Sequence, residues 1–92
     1  MNIVGMRFLD SQKETQKLGI PRGAEILAVN VKQENVYITI REDVNLQTDF
    51  SQSVEFAIFK SGRHFNCDGY TFLGTILLDF GNTFYHVFYR NV

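Results

Sequence analysis

Apolar residues recur at every second position through much of this chain, the spacing of a β-strand that buries one face. The period is clearest at residues 36–41, where Val36, Ile38 and Ile40 alternate with Tyr37, Thr39 and Arg41. It returns at 54–60, with Val54, Phe56 and Ile58 on one face and Ala57 and Phe59 on the other. Residues 24–32 read as a buried strand with Leu27, Val29 and Val31 on one face. Gln33-Glu34-Asn35 then turns the chain back into 36–41 as a hairpin. Two more strands, 70–79 and 82–90, meet at Phe80-Gly81, with Gly81-Asn82 supplying the positive-φ positions of a tight turn.

The N-terminal third is less regular. Residues 3–9 carry Ile3, Val4, Met6, Phe8 and Leu9 and suit a strand, and the polar run 10–18 is read as an exposed edge strand. Gly19-Ile20-Pro21-Arg22-Gly23 reads as a turn, because proline pre-sets one dihedral and glycine permits a positive φ. Residues 42–53 form a polar connection of the longest kind an ordered domain uses, with Val44, Leu46 and Phe50 available to anchor it. No segment carries a helical period. The expected fold is all-β: one domain over residues 1–92, a small antiparallel sandwich or barrel-like sheet of six to seven strands.

The strand at 82–90 is apolar on both faces, with Phe84 and Phe88 against Tyr85, Val87 and Tyr89. An antiparallel sheet with one solvated face does not have that composition. Its second face must be covered by another sheet or by another copy of the chain. The short length argues the same way, since small domains bury a modest share of their surface. A homodimer through the outward face of the C-terminal hairpin is expected, with one of the two alternating sets, Tyr85, Val87 and Tyr89 or Phe84, His86 and Phe88, covered from outside the sheet, and a twofold pair is the default symmetry.

Composition removes several function classes. Apolar residues make up 45% and charged residues 21%, which is globular rather than disordered. Aromatics reach 14%, with nine Phe and four Tyr, more ring surface than one small core needs. A net charge of −1 gives no global sign of the basic face a general nucleic-acid binder requires. The single Cys67 excludes an internal disulfide and suits a reducing compartment. No leader-like segment and no run long enough to span a membrane is visible, so the expectation is a soluble, cytoplasmic protein that does not engage membranes.

Catalytic and metal readings find little support. His64 and Cys67 offer a base and a nucleophile, yet they lie three residues apart in a loop and lack a glycine-flanked nucleophile elbow. A free thiol is the better reading. His64, Cys67 and Asp68 are three unlike groups, whereas structural zinc takes four ligands in short-spaced pairs. His86 shares a strand face with Phe84 and Phe88 and reads as a satisfied core or interface histidine. Glu42 and Asp43 are adjacent and point apart on a strand, so paired-carboxylate chemistry is absent. No enzyme class, metal or cofactor is expected.

The segment that gathers recognition chemistry is 61–69, which runs Ser-Gly-Arg-His-Phe-Asn-Cys-Asp-Gly between two apolar strands. Loops held by a rigid scaffold carry function disproportionately, and arginine and aromatic residues dominate binding energy. Arg63, His64, Phe65, Asn66 and Tyr70 are the expected binding residues. Arg63 beside glycine amides, with Phe65 or Tyr70 as a stacking surface, also suits a nucleotide-like small molecule.

The order of segments resembles a family of small phage and prophage proteins. Ile20-Pro21-Arg22-Gly23-Ala24-Glu25-Ile26-Leu27-Ala28-Val29 is similar to its P-x-G-A-x-h-L-x-V strand entry, where h is apolar. Phe56-Ala57-Ile58-Phe59 with Ser61-Gly62-Arg63-His64 follows in the place of F-x-I-F-G-T-G-H-x-h-D. Tyr70-Thr71-Phe72-Leu73-Gly74-Thr75 stands for Y-h-G-T-h-Q, and Tyr85-His86-Val87-Phe88 for W-H-V-F-E. The chain departs from the pattern at Ser61-Gly62-Arg63, at Tyr85 and at Tyr89. The resemblance implies a viral accessory protein of the host cytoplasm that binds a host protein stoichiometrically and blocks a defence or another host process. An oligomeric sponge for a nucleotide-like signal, or a virion or assembly component, are the alternatives.

Overall fold

The computed structural model describes residues 1–43 and 51–92. The anchoring expected from Val44, Leu46 and Phe50 therefore lies outside the described residues. Among the described residues there are seven strands: β1 (Asn2–Leu9), β2 (Thr15–Pro21), β3 (Glu25–Lys32), β4 (Asn35–Asp43), β5 (Ser51–Lys60), β6 (Thr71–Leu78) and β7 (Thr83–Asn91). All pairings are antiparallel, and the strands form two sheets. Sheet A has the order β1-β4-β3 and sheet B the order β2-β5-β7-β6. The architecture is the sandwich that strand periodicity predicts.

Period two decides which side chains meet between the sheets. Val36, Ile38 and Ile40 of β4 face Val54, Phe56 and Ile58 of β5, and all six are buried. Leu9, Ile20, Ile76, Leu78 and Val87 complete the same cluster. Among the described residues, Phe56 is the largest side chain wholly removed from solvent. Burying a Phe or Ile side chain stabilises a fold by about 1.5–3 kcal/mol, so this cluster is the main support of the sandwich.

Three expectations from the sequence are corrected. The turn assigned to residues 19–23 shrinks to Arg22-Gly23, with Gly23 at φ 85°. Ile20 belongs to the core, and Pro21 ends the edge strand β2 by pairing with Ser51. Proline is tolerated there because an edge strand need not donate every amide. In β3 the register shifts between Ile26 and Ala28. The bulge turns Leu27 to solvent and brings Ile26 to the core beside Val29 and Val31. At the β6–β7 turn, positive φ falls on Asp79, Phe80 and Gly81 and not on Asn82, whose amide side chain instead donates to the Asp79 carbonyl at 2.8 Å.

The pairing of sheets is tightest at one corner. A second bulge, between Phe72 and Gly74 of β6, lies where β6 packs against β3. A Cβ on Gly74 would stand 3.0 Å from Val29 Cγ1, closer than ordinary van der Waals contact. The glycine in the segment Leu73-Gly74-Thr75 is thus fixed by close approach of the two sheets. Gly74→Val is expected to destabilise the protein by about 1–3 kcal/mol through overpacking. Val29→Ala in the same chain should return part of that loss. Urea unfolding of the two single variants and the double variant measures both effects.

Candidate functional site

Sheet B buries one face in the sandwich and turns the other outward. Tyr85, Val87 and Tyr89 of β7 point inward, pairing with Lys60, Ile58 and Phe56 of β5 and packing on the core. The other sheet satisfies them, as half of the two-faced pattern required. The outward set on β7 is Phe84, His86, Phe88 and Arg90, beside Glu55, Ala57 and Phe59 of β5. Phe72, Thr75 and Leu77 of β6 continue the same face.

Residues 61–70 fold back over part of this face. Two turns set the path. The Arg63 amide donates to the Lys60 carbonyl at 3.1 Å, with Gly62 at φ 91°, and the Tyr70 amide donates to the Cys67 carbonyl at 3.0 Å, with Gly69 at φ 81°. The Asn66 side-chain oxygen accepts the Asp68 amide at 3.0 Å, an Asx turn that starts the second reversal. The extended stretch between them lays Phe65 flat on Phe59, with ring centroids 4.0 Å apart. Tyr70 and Phe88 flank Phe65 at 5.1 and 5.2 Å, and Phe72 meets Phe88 edge-on at 5.3 Å. Ala57, on the outer face within this group, has no exposed surface. Such ring pairs add about 0.5–1.5 kcal/mol each beyond their burial.

A polar contact locks the end of the loop. The Tyr70 hydroxyl and the Arg90 Nε both donate to Glu55 Oε2, each at 2.7 Å. The Arg90 guanidinium also lies 4.3 Å from the centre of the Tyr70 ring. The Tyr70 hydroxyl, more than any other group, holds the Glu55 carboxyl below the usual carboxylate range. Arg90 and the cross-strand Lys17 pull in the same direction, and desolvation opposes them. Desolvation and then Glu55 raise the Tyr70 phenol above its ordinary value, with Arg90 opposing.

The five expected binding residues therefore divide. Phe65 and Tyr70 come together as the covering cluster on sheet B. Asn66 shapes the turn. Arg63 points away from the rings to Glu14, 2.7 Å distant, and His64 is exposed. A shallow depression of about 170 Å³ remains between Phe59, Phe65 and Phe88 below and Arg63, Cys67 and His86 at the rim. A second, of about 160 Å³, lies across Arg63 between Glu14, Lys60 and Tyr85. The His86 Nδ1 meets the Thr75 hydroxyl at 2.9 Å, which satisfies the ring on the outer face. Among the described residues no group of three or more His, Cys, Asp or Glu converges on a common point.

Beyond the loop, no described residue covers the outer face. Leu77 and Phe84 are a cross-strand pair and both are exposed. Phe80, at the tip of the β6–β7 turn, is 89% exposed and holds φ 56°, a left-handed conformation that an aromatic side chain rarely adopts. Its amide and that of Asp79 donate to the two carboxylate oxygens of Glu34, at 2.7 and 2.8 Å. Glu34 itself occupies the β3–β4 turn at φ 65°, beside Gln33 at 52°. Sequence reading missed Glu55, Arg90, Glu34 and Phe80. Pairing 54–60 against 82–90 in antiparallel register would have set Glu55 opposite Arg90. An aromatic residue inside a turn was the signal for Phe80.

The lock makes stability depend on pH at both ends of the range. Glu55 binds its proton less tightly when folded, so its contribution is present above the unfolded value of about 4.3 and lost as pH falls through the lower folded value. Tyr70 behaves oppositely. Its contribution is intact below about pH 10 and lost as pH rises through the raised folded value. Glu55→Gln should flatten the acid limb and shrink the alkaline one. Tyr70→Phe should cost about 1–2 kcal/mol at neutral pH by removing one hydrogen bond to a charged group. Urea midpoints recorded from about pH 3 to about pH 11 measure these limbs.

Neither a search of curated proteins nor a search of solved structures returns a match to this chain. One family model does match, described as Domain of unknown function (DUF7352), and it spans residues 7–92. That span takes in six of the seven strands whole and the last three residues of β1, together with the covering loop and the Phe80 turn. The chain belongs to this DUF7352 family.

Proposed function

We propose that this chain is a non-enzymatic binding protein that engages a protein partner through the bare half of the outer face of sheet B. The observation that carries this reading is Phe80. An aromatic side chain almost wholly in solvent stands at a left-handed backbone position, where its own amide and that of Asp79 donate to the Glu34 carboxylate of a separate turn. Backbone strain of this kind costs about 1–3 kcal/mol and persists at binding and switch regions where surrounding structure enforces it. Leu77 and Phe84 extend the apolar surface along the hairpin from the same tip. An aromatic anchor with apolar neighbours is the arrangement that fills a pocket on a protein partner.

The resemblance of the segment order to that of phage and prophage proteins supports a more specific reading. The partner is a host protein, and the chain blocks a defence or another host process in the host cytoplasm by binding in fixed ratio. A nucleotide-like ligand is less well supported. The depression beneath Arg63, of about 170 Å³, is smaller than the roughly 300–1,000 Å³ of pockets that enclose small molecules. Arg63 is also engaged by Glu14.

Phe80→Gly separates binding from folding. Glycine adopts positive φ freely, so the substitution should leave stability unchanged or raise it by up to about 1 kcal/mol. The same change should weaken partner binding at least tenfold, about 1.4 kcal/mol. The measurement is affinity purification from host cells followed by titration of the recovered partner with wild type and variant, alongside thermal melts. Equal affinity in the two chains would remove Phe80 from the site. A melting-temperature increase with a nucleotide panel and no retained protein would favour the small-molecule reading.

A further inference from the structure

We propose that β1 pairs with β1 of a second copy of this chain, joining two sandwiches through one continuous six-stranded sheet. The two sheets have four edge strands, and three carry features that block pairing. Strand β2 ends in Pro21. Strands β3 and β6 each contain a register shift, between Ile26 and Ala28 and between Phe72 and Gly74. Prolines and bulges are among the devices that keep edge strands from adding another strand. Strand β1 has no proline and no bulge. It runs in unbroken register with β4 over eight pairs, from Asn2 opposite Asp43 to Leu9 opposite Val36.

The side chains of β1 suit an identical partner. Val4, Met6 and Phe8 share the outer face of sheet A and are 59, 49 and 55% exposed. Phe8 makes an edge-on contact with Tyr37 at 6.1 Å, which extends the apolar surface onto β4. Antiparallel pairing about a twofold axis through Met6 sets Met6 opposite Met6 and Val4 opposite Phe8. Aromatic side chains facing β-branched ones are a favourable cross-strand pair. The same register sets Arg7, the single charge of the strand, opposite Gly5, where no side chain competes for space. Sliding two residues one way would oppose Arg7 to Arg7, a like-charge pair. Sliding two residues the other way would set Phe8 against Asn2. One register therefore satisfies both charge and shape. A single strand pair is at the small end of stable interfaces, near about 1,200 Å², so the dimer is expected to form in the micromolar range.

Sedimentation velocity between about 1 and about 300 µM tests the proposal, as that range brackets a micromolar dissociation constant. Wild type should pass from monomer to dimer, and Met6→Lys, which sets two cations at the symmetry axis, should raise the dissociation constant at least tenfold. Met6 is half exposed, so the monomer fold should survive, with thermal melts as the check. Cross-linking supplies a second readout in a Cys67→Ser background. Met6→Cys should give a disulfide dimer under mild oxidation, because directly opposed Cα atoms lie within the roughly 4.4–6.8 Å that a disulfide spans. Phe8→Cys should not, because the register moves its symmetry mate far beyond that reach. A monomer throughout would overturn the proposal, as would a dimer indifferent to Met6→Lys or equal cross-linking by the two cysteine variants.

Discussion

The structure depends on one constraint: the two central strands of sheet B are apolar on both faces, and each face needs a cover. Strand β5 directs Val54, Phe56 and Ile58 one way and Ala57 and Phe59 the other, while β7 opposes Val87 to Phe88 in the same manner. The inner cover is sheet A. The outer cover comes from the chain itself, which folds residues 61–70 back and stacks Phe65 onto Phe59. That solution removes the need for a second copy on this face. It also determines what remains available to a partner: the loop starts beside Phe84, where the Ser61 amide donates to the Phe84 carbonyl, and runs over Phe59 and Phe88, leaving Leu77 and Phe84 exposed.

Two glutamates hold the arrangement at opposite ends of β6. Glu55 grips Tyr70, one residue before the strand begins, and Glu34 grips the amides of Asp79 and Phe80 just after it ends. Strand β6 is an edge strand interrupted by a bulge, and these contacts tie it to β5 and to the β3–β4 turn. The Glu55 carboxylate remains charged because a hydroxyl and a guanidinium both donate to it, which offsets its removal from water. Glu34 stabilises a turn whose backbone is otherwise unfavourable. In both places a carboxylate compensates for local geometry that the side chains alone would not maintain.

Much of the fold is legible in the sequence because period two is a direct image of a half-buried strand. Val36, Ile38 and Ile40 could be placed in the core from spacing alone. The bulges could not, since a register shift depends on what the facing sheet requires. Leu27 and Ile26 exchange roles for that reason, and Gly74 has its reason only in Val29 across the sandwich. The candidate site was legible in part. The loop that joins β5 to β6 is where recognition chemistry clusters in sequence, yet Phe65 and Tyr70 are drawn into covering the sheet. Their apolar area finds a partner within the chain before any ligand is needed. An aromatic residue inside the turn at Phe80 signals a ring at that tip, but its display rests on the left-handed backbone that Glu34 holds from another turn.

The central claim is that the aromatic residues divide into rings that cover sheet B and rings that are displayed. Comparing the unfolding free energies of Phe65→Ala and Phe80→Ala tests it most directly. Phe65→Ala should cost about 2–4 kcal/mol, because it uncovers Phe59, Ala57 and Phe88 together. Phe80→Ala should change stability by no more than about 0.5 kcal/mol, the range of exposed substitutions. Equal small effects from the two variants would contradict the account, because the loop would then not be the cover that sheet B requires.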